Sequence, residues 1–485
     1  MSDDVGIPPR EAAATAPISH ARDWFDARDP GNPRNFPLAR RIFSTIAVTL
    51  LAFVSTFAAS IYSAGIAHVS ADFHVSEEVA ILGLSLYNLG LAAGPLIGAP
   101  LSETAGRKSV ILVTTPIFAI FTLGAGLSRG ITSLLVCRFF AGVAAAPAVG
   151  NASATIADYT PGTYRAISFA FYYSIPFFGA VLGPLVGGFV DEAKGWRWTQ
   201  YTTIFFIVAF YIPVLFTPET YKKTILQRRA KKLGIEGPPT AQRSTGTLIR
   251  HFATVLLVRP IHMLFTEPIV TLVCTYCGFL FGLMYTFVVA SPWVFQHYYA
   301  FGINGQSLSF LGLVVGTIFA PFPLVVIDLT LYQPRLRRFR ECRPEGDRFP
   351  AEHRLYPALI ASFSLPACLF VFAWTVRPNI PWIVPIIFQG LAILASLLIY
   401  ASCNLFMIDF FGPLYGASAA GAAMLTRYTL SAVFPLFGLQ MYRGLGAGWA
   451  TSLLAFCTLV MAPIPWLFWR CAERLREKTK YETSA

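Results

Sequence analysis

Charge is scarce in this chain. Asp, Glu, Lys and Arg make up 13% of its 485 residues, against roughly 25% in a soluble domain, while hydrophobic residues make up 55%. Mean hydropathy is +0.58. That balance excludes a water-soluble globular domain and places the chain in a bilayer. Carboxylates are the rarer sign: the 25 Asp and Glu fall in tails, loops or the ends of apolar runs, with none clearly at the middle of one. No Gly-rich loop followed by Lys-Ser/Thr is present, which excludes an ATP-driven pump within this chain. The 8 cysteines are scattered, and Cys274-x-x-Cys277 lies inside an apolar run, so neither metal nor redox chemistry is expected and no cofactor is implied. Residues 1–41 are polar, contain several prolines and lack an apolar core segment, so no secretory leader is expected. They read as a disordered tail, with Asp29-Pro-Gly-Asn-Pro33 as a turn-rich stop.

What the chain does have is apolar runs of spanning length, about 20 residues each. Twelve stand out: 42–64, 79–101, 109–128, 131–155, 166–190, 199–218, 264–290, 307–329, 355–376, 380–403, 413–439 and 446–469. A basic stretch separates the first six from the last six. The expected organisation is a cytoplasmic tail (1–41), a six-span bundle (42–218), a linker (219–262), a second six-span bundle (263–469) and a C-terminal tail (470–485). The fold class is therefore an all-α membrane protein, two six-helix bundles with a central cytoplasmic loop and a substrate site at the midplane between them. Lys222-Lys223, Arg228-Arg229 and Lys231-Lys232, followed by Gly237-Pro-Pro239, predict an amphipathic surface helix and then flexible linker.

A net charge of +12 raises the question of nucleic acid, and its distribution answers it. With the N-terminus placed inside, 30 of the 37 Lys and Arg lie on the cytoplasmic side, and outer loops hold only Arg129, Lys194, Arg197, Arg377 and Arg443. This is the positive-inside asymmetry, and it predicts that both termini are cytoplasmic. The basic residues then face anionic lipid headgroups rather than DNA or RNA.

Polar groups at depth are the functional candidates, because transport needs only groups whose charge or hydrogen bonding changes between states. Arg138 in span 4 and Arg427 in span 11 are charges inside spans. Arg138 is read as functional by default, against capping by carbonyls for structure alone. Arg427 is open between structural anchoring and contact with a substrate anion. Glu267, at the start of span 7, is either a proton carrier or, before Pro268, a helix-start device. Asp158 with Arg165 reads as a gate pair at the inner end of span 4, or as a further coupling candidate. His68 and His74 read as solvated surface. Tyr87, Asn88, Asn151, Tyr172, Tyr173, Tyr276, Tyr285, Gln389 and Asn404 supply hydrogen-bond partners among apolar walls, a lining that suits amphipathic organic molecules. Few acids at depth argue against a polycation.

Span 5 carries Gly179, Gly183, Pro184, Gly187 and Gly188, which strip one helix face of side chains and invite a kink. The expected partner of that face is span 8 of the other bundle. After span 2 comes Ala99-Pro-Leu-Ser-Glu103-Thr-Ala-Gly106-Arg107-Lys108. This loop resembles the major facilitator signature that closes the cytoplasmic side, with Ala99 and Thr104 departing from the usual Gly and Arg. The span-5 pattern resembles the antiporter signature of the same superfamily. Trp196-Arg-Trp198, Pro218-Glu-Thr-Tyr221, Arg259-Pro260, Glu267-Pro268-Ile269, Arg354-Leu355, Ser418-Ala419 and Phe434-Pro435-Leu436-Phe437 extend the likeness. Together, over about residues 42–480, they resemble the fungal twelve-span drug:proton antiporters, the branch with polyamine and fluconazole exporters.

The resemblance implies a non-enzymatic exporter of small organic molecules such as secondary metabolites, drugs or toxins, coupled to protons and working by alternating access. It implies proton translocation by Arg138, within Cys137-Arg-Phe-Phe-Ala-Gly142, and a gate in which Glu103 holds an Arg across the interface. It also favours the plasma membrane over the vacuolar membrane. An importer or facilitator of a small metabolite or organic acid on the same fold, and a sensor that does not transport, are the alternatives.

Overall fold

The computed structural model describes residues 23–24, 29–160, 165–235, 258–342 and 349–479. Most of the expected disordered tail and of the flexible linker lies outside these residues. Among the described residues the secondary structure is entirely helical. The first bundle comprises span 1 (Leu38–Ser60), span 2 (Glu77–Ala105), span 3 (Arg107–Gly126), span 4 (Ile131–Tyr159), span 5 (Arg165–Lys194) and span 6 (Arg197–Leu215). A basic helix, Lys222–Leu233, follows span 6.

In the second bundle, span 7 is Pro268–Tyr299, span 8 covers Ile303–Cys342 and span 9 is Tyr356–Thr375. Helix then runs for 79 residues, Ile383–Met461. At about 1.5 Å per residue a straight rod of that length would reach about 120 Å, several bilayers thick, so the chain must fold back. It does so at Gly412 (φ 66°) and Gly446 (φ 74°), backbone conformations open to a residue without Cβ. These two breaks divide the rod into spans 10, 11 and 12, which brings the long helices among the described residues to twelve.

Span 1 stops being α-helical at Ser60 and continues as a 3₁₀ turn, Ile61–Gly65. The glycine face of span 5 packs on this segment. A Cβ at Gly179 would lie 2.5 Å from the carbonyl oxygen of Phe53, one at Gly183 2.7 Å from the amide nitrogen of Ile61, and one at Gly187 2.6 Å from the Ile61 carbonyl oxygen. The expectation that this face meets span 8 is thus corrected for these glycines. Gly188 alone among them meets span 8, where a Cβ would lie 2.9 Å from Cβ of Ser307. Successive glycines at i, i+4 and i+8 line one stripe of a helix, and span 1 is the neighbour whose backbone comes near enough to need it.

Segment 29–36, within the stretch read as disordered, packs against the first bundle. Asp29 is 4% exposed and makes a two-point ion pair with Arg229 of the basic helix, at 2.5 and 2.8 Å. That hydrogen bonding raises the proton affinity of the Arg229 guanidinium. Leu replacing Gly183 would drive four carbons into the backbone of span 1. Gly183→Leu is expected to lower the unfolding free energy by about 2 kcal/mol or more, read as an earlier thermal transition of the detergent-purified protein. An unchanged transition would show that the seam yields.

Candidate transport site and gates

The two bundles meet around Arg427. Its guanidinium carbon lies 4.7 Å from the ring centre of Phe281 (span 7), 5.4 Å from that of Tyr400 (span 10) and 4.4 Å from that of Tyr428 (span 11). One Nη donates to the Tyr400 hydroxyl, and Nε is buried with no hydrogen-bond partner among the described residues. Span 5 closes the cage from the other bundle: the Tyr173 ring lies 5.2 Å from Tyr400, and Phe177 lies 4.5 Å from Phe281. Aromatic faces stabilise the cation without neutralising it. A buried guanidinium with a free donor and rings on several sides is suited to an aromatic molecule bearing an acceptor or a weak acid.

The other expected lining residues divide. Asn88 reaches across the interface, donating to the Ser431 carbonyl of span 11 at 3.2 Å. Asn151 and Tyr276 are buried with Nδ2 and the hydroxyl, respectively, lacking a partner among the described residues. Tyr285 is fully buried on span 7. The rest donate within their own bundle: Tyr87 to Ser55 O (2.8 Å), Tyr172 to Val149 O (2.7 Å), Gln389 Nε2 to Ser291 Oγ (2.7 Å) and Asn404 Nδ2 to Tyr400 O (2.8 Å), while Gln389 Oε1 is buried without a partner among the described residues. Phe281, Tyr400 and Tyr428 were not singled out in the sequence, because an aromatic in an apolar run looks the same whether it faces lipid or a partner bundle.

Arg138 is 1% exposed and held inside the first bundle. Nε donates to Gly83 O (3.0 Å), Nη1 to Ala58 O (2.7 Å) and Nη2 to Ala59 O (3.0 Å). Tyr62 and Tyr87 cover it at 4.7 and 4.5 Å. The change from α to 3₁₀ geometry just beyond Ala59 frees span-1 carbonyls, and Arg138 is their donor. This geometry is the carbonyl-capped arrangement weighed against proton translocation above.

At the end where span 1 begins and span 12 ends, helix runs to Ala105 and resumes at Arg107 in place of the expected 99–108 loop, and this junction at Gly106 is tied to the segment after span 6. Glu219 accepts from the backbone amides of Arg107 (3.0 Å), Lys108 (3.2 Å), Thr220 (3.0 Å) and Tyr221 (3.0 Å), so a carboxylate sits on the N-terminus of span 3. Gly106 makes room for it: its φ is +96°, and a Cβ there would lie 2.9 Å from Cδ of Glu219. Lys108 Nζ donates to Leu215 O at 2.7 Å. Asp158 meets Arg107 at 3.6 Å and Thr220 at 3.1 Å. The side chains of Glu103 and Arg165 lie outside the described residues. Glu267 stands at the N-cap of span 7, before Pro268, and accepts from Thr479 at 2.8 Å.

The opposite end is bridged between bundles. Glu77 and Glu78, opening span 2, meet Arg443 (2.8 Å) and Gln440 (3.2 Å) of span 11. Beside them a cavity of about 160 Å³ is lined by Ser63, Pro184, Gln296, Gln306 and Arg443 among others. His68, expected as solvated surface, has a side chain 50% exposed and bonds at 2.7 Å to Asp191, whose side chain is 2% exposed.

Two helical bundles that meet across a polar, aromatic midplane and are bridged at one end by Glu77–Arg443 and Glu78–Gln440 define a membrane transporter that moves small molecules without breaking bonds. Residues 48–435 match the Major Facilitator Superfamily, and the chain belongs to that family. It is similar to efflux pump FUBT of Fusarium oxysporum (36% identity, 98% of this chain and 80% of that one) and to polyamine transporter 4 of Saccharomyces cerevisiae (33%, 96% and 73%). The fold is shared with the solved proton:xylose symporter XylE at a TM-score of 0.63 and 16% identity, covering 90% of this chain and 96% of that one.

Arg138→Ala strands the span-1 carbonyls, and loss of charge-assisted hydrogen bonds predicts destabilisation of about 3 kcal/mol or more. Arg138→Lys, which keeps the charge but not the three-point geometry, is expected to lower the melting temperature as well. A proton relay without this structural duty predicts an unchanged melting temperature and an altered pH profile of transport.

Proposed function

We propose that this transporter exports small amphipathic organic molecules in exchange for protons. Both termini lie in the cytoplasm, and the plasma membrane is its site. The observation that carries the substrate class is the Arg427 cage: a buried cation among Phe281, Tyr400 and Tyr428, with Tyr173 of the opposite bundle against Tyr400. It favours neutral or weakly acidic aromatic metabolites, drugs or toxins. A polycation entering the cage meets like charge with no compensating carboxylate in the ring set.

Export is supported by the relative named as an efflux pump, and by the span-5 glycines that let spans 1 and 5 move as one packed unit. The relative named as a polyamine transporter supports a cationic cargo, and Arg427 weighs against it here. The basic helix and the basic residues around 335–340 share the terminal end, the arrangement expected of a cytoplasmic face beside anionic lipid.

Alternating access is the mechanism, and the bridges between bundles at one end support it. In the present arrangement Glu77–Arg443 and Glu78–Gln440 hold the end remote from the termini shut. Opening that end requires these contacts to part while the terminal end closes.

The test is purified protein in liposomes, with fluorescein as a weakly acidic amphipathic dye, spermidine as a polycation and an imposed proton gradient. Dye movement opposed to proton flow, abolished when the gradient is dissipated, is expected. Arg427→Ala should raise the dye KM about ten-fold, equivalent to ~1.4 kcal/mol. Dye flux that ignores the gradient would make the protein a facilitator, and transport of spermidine alone would overturn the substrate class. Glu77→Ala, which removes an exposed bridge worth about 0.5 kcal/mol, is expected to raise labelling of a cysteine placed at Ser63 by a membrane-impermeant maleimide roughly two-fold.

A further inference from the structure

The cavity of about 160 Å³ beside the Glu77–Arg443 bridge is built on the same three helices as the Arg427 cage. Span 5 gives Tyr173 and Phe177 to the cage, and Pro184 and Gly188 to the cavity. Span 7 gives Phe281 to the cage, and Val289 and Trp293 to the cavity. Span 11 gives Arg427 to the cage, and Leu439 and Arg443 to the cavity. At about 1.5 Å per residue, the first cavity residue on each helix lies roughly 10 to 18 Å beyond the cage. The cavity is therefore a second opening along the seam between bundles. Pro184 and Pro292 stand on its wall from opposite bundles, each inside a helix. Proline removes an amide donor and bends the helix, which leaves room between the walls.

The wall is amphipathic. Trp293 brings a half-buried indole, stacked on His297 at 5.0 Å between ring centres. Ser63 and Ser307 donate their hydroxyl protons to the carbonyls of Ser60 (2.7 Å) and Ile303 (3.0 Å), and Gln306 donates its amide to Phe301 O (3.0 Å). These groups therefore present lone pairs to the cavity rather than donors. Arg443 is the cation on the wall and Glu77 the carboxylate. Their bridge engages one guanidinium nitrogen, Nη2, and both side chains are partly exposed, 45% and 33%. A pair held in that way is weak, so another carboxylate can take its place at small cost. At about 160 Å³ the cavity is smaller than the roughly 300 Å³ or more of a full small-molecule pocket. It accommodates one end of an amphipathic molecule, a ring with its acid group.

We propose that this cavity is an outer subsite for the exported molecule, in which an aromatic acid sets its ring against Trp293 and takes Arg443 from Glu77. This rests on the substrate class proposed above and adds an exit site to it. Arg443 is the next cation along span 11 after Arg427. An anion that leaves the cage meets it, and the incoming carboxylate replaces that of Glu77. Arg443 stays paired through the exchange, while Glu77 turns to water. The link between spans 2 and 11 is thereby lost, so arrival of the cargo undoes one of the two bridges that hold this end shut. Partial exposure keeps the binding weak, which suits a site of release.

The neighbouring charges leave room for an anion. Glu78, next to Glu77, is exposed and accepts from Gln440, so solvent screens it. Asp72 is bound to Arg197 at 3.1 Å and to the Trp196 indole at 2.8 Å, and Asp191 to His68.

The test places a cysteine at Ser63, on the cavity wall, in the full chain reconstituted in liposomes. The probes are benzoate, a ring with a carboxylate, and benzylamine, a ring of the same size with a cation. The readout is the rate of labelling by a membrane-impermeant maleimide, with and without probe, in each variant. Saturating benzoate is expected to slow labelling at least three-fold, and benzylamine at the same concentration to leave it within 1.5-fold. Glu77→Gln and Arg443→Gln both break the bridge, which separates a subsite from a mere gate. Half-maximal protection of Glu77→Gln should need about three-fold less benzoate, because Arg443 no longer has a competitor. Arg443→Gln should lose the protection altogether. The same change in protection in both variants, or protection by benzylamine equal to that by benzoate, would overturn the subsite. Normal fluorescein transport with no benzoate protection overturns it too, and leaves the substrate class standing. The expected pattern of protection in a protein that moves no fluorescein supports the subsite and removes the transport reading. Both substitutions are at partly exposed positions, and an unchanged melting temperature confirms that each variant is folded.

Discussion

Inside an apolar bundle, every backbone group released by a helix break has to find its partner within the protein. Most of the architecture described here follows from that demand. Span 1 gives up α geometry at Ser60, and Arg138 reaches from span 4 to take the carbonyls of Ala58 and Ala59, with Gly83 of span 2 as third acceptor. One side chain therefore sets the relative placement of spans 1, 2 and 4. The same segment of span 1 is the floor on which the span-5 glycines lie, so the tether and the seam belong to one packed unit. At the terminal end Glu219 answers the opposite need, collecting amides at the start of span 3 that no earlier turn can satisfy.

A rigid first bundle gives the second something to move against. Contacts between bundles are of two chemical kinds. At the midplane they are mainly aromatic, Tyr173 on Tyr400 and Phe177 on Phe281 with Arg427 behind them, joined by the Asn88–Ser431 hydrogen bond. At the end remote from the termini they are polar and partly exposed, Glu77 with Arg443 and Glu78 with Gln440. Exposed ion pairs contribute little net stability and are screened by salt, which suits a contact that parts in the alternating access proposed above. Ring packing tolerates sliding in a way that a three-point hydrogen-bonded guanidinium does not.

The two bundles also echo one another in charge placement. Arg107 follows span 2 and meets Asp158 at the end of span 4; Arg354 precedes span 9 and meets Asp409 late in span 10. That correspondence is invisible in the amino-acid identities of the halves, since the flanking residues differ. It emerges once the arginines and aspartates are seen to serve the same ends of equivalent helices. The second bundle departs from the pattern by adding Asp328 through a π turn, so that Arg354 meets a second carboxylate.

Hydropathy alone determined the membrane setting, the twelve passes and their division into two sixes, because burial in lipid is a property of each segment taken by itself. The glycine face of span 5 and the unusual burial of Arg138 and Arg427 were legible for the same reason: small residues at helical spacing, or a charge in an apolar run, carry their signal locally. Partners were not. Whether Gly183 faces span 1 or span 8, and whether Arg138 meets carbonyls or a carboxylate, depends on how each helix is rotated about its axis and where its backbone breaks. Asp328 shows the limit most clearly. In sequence it is an acid at a span end; winding and packing turn it inward, against Arg354 and a cavity shared with the other bundle. Those choices are made by contacts between residues far apart along the chain, and only the assembled bundle contains them.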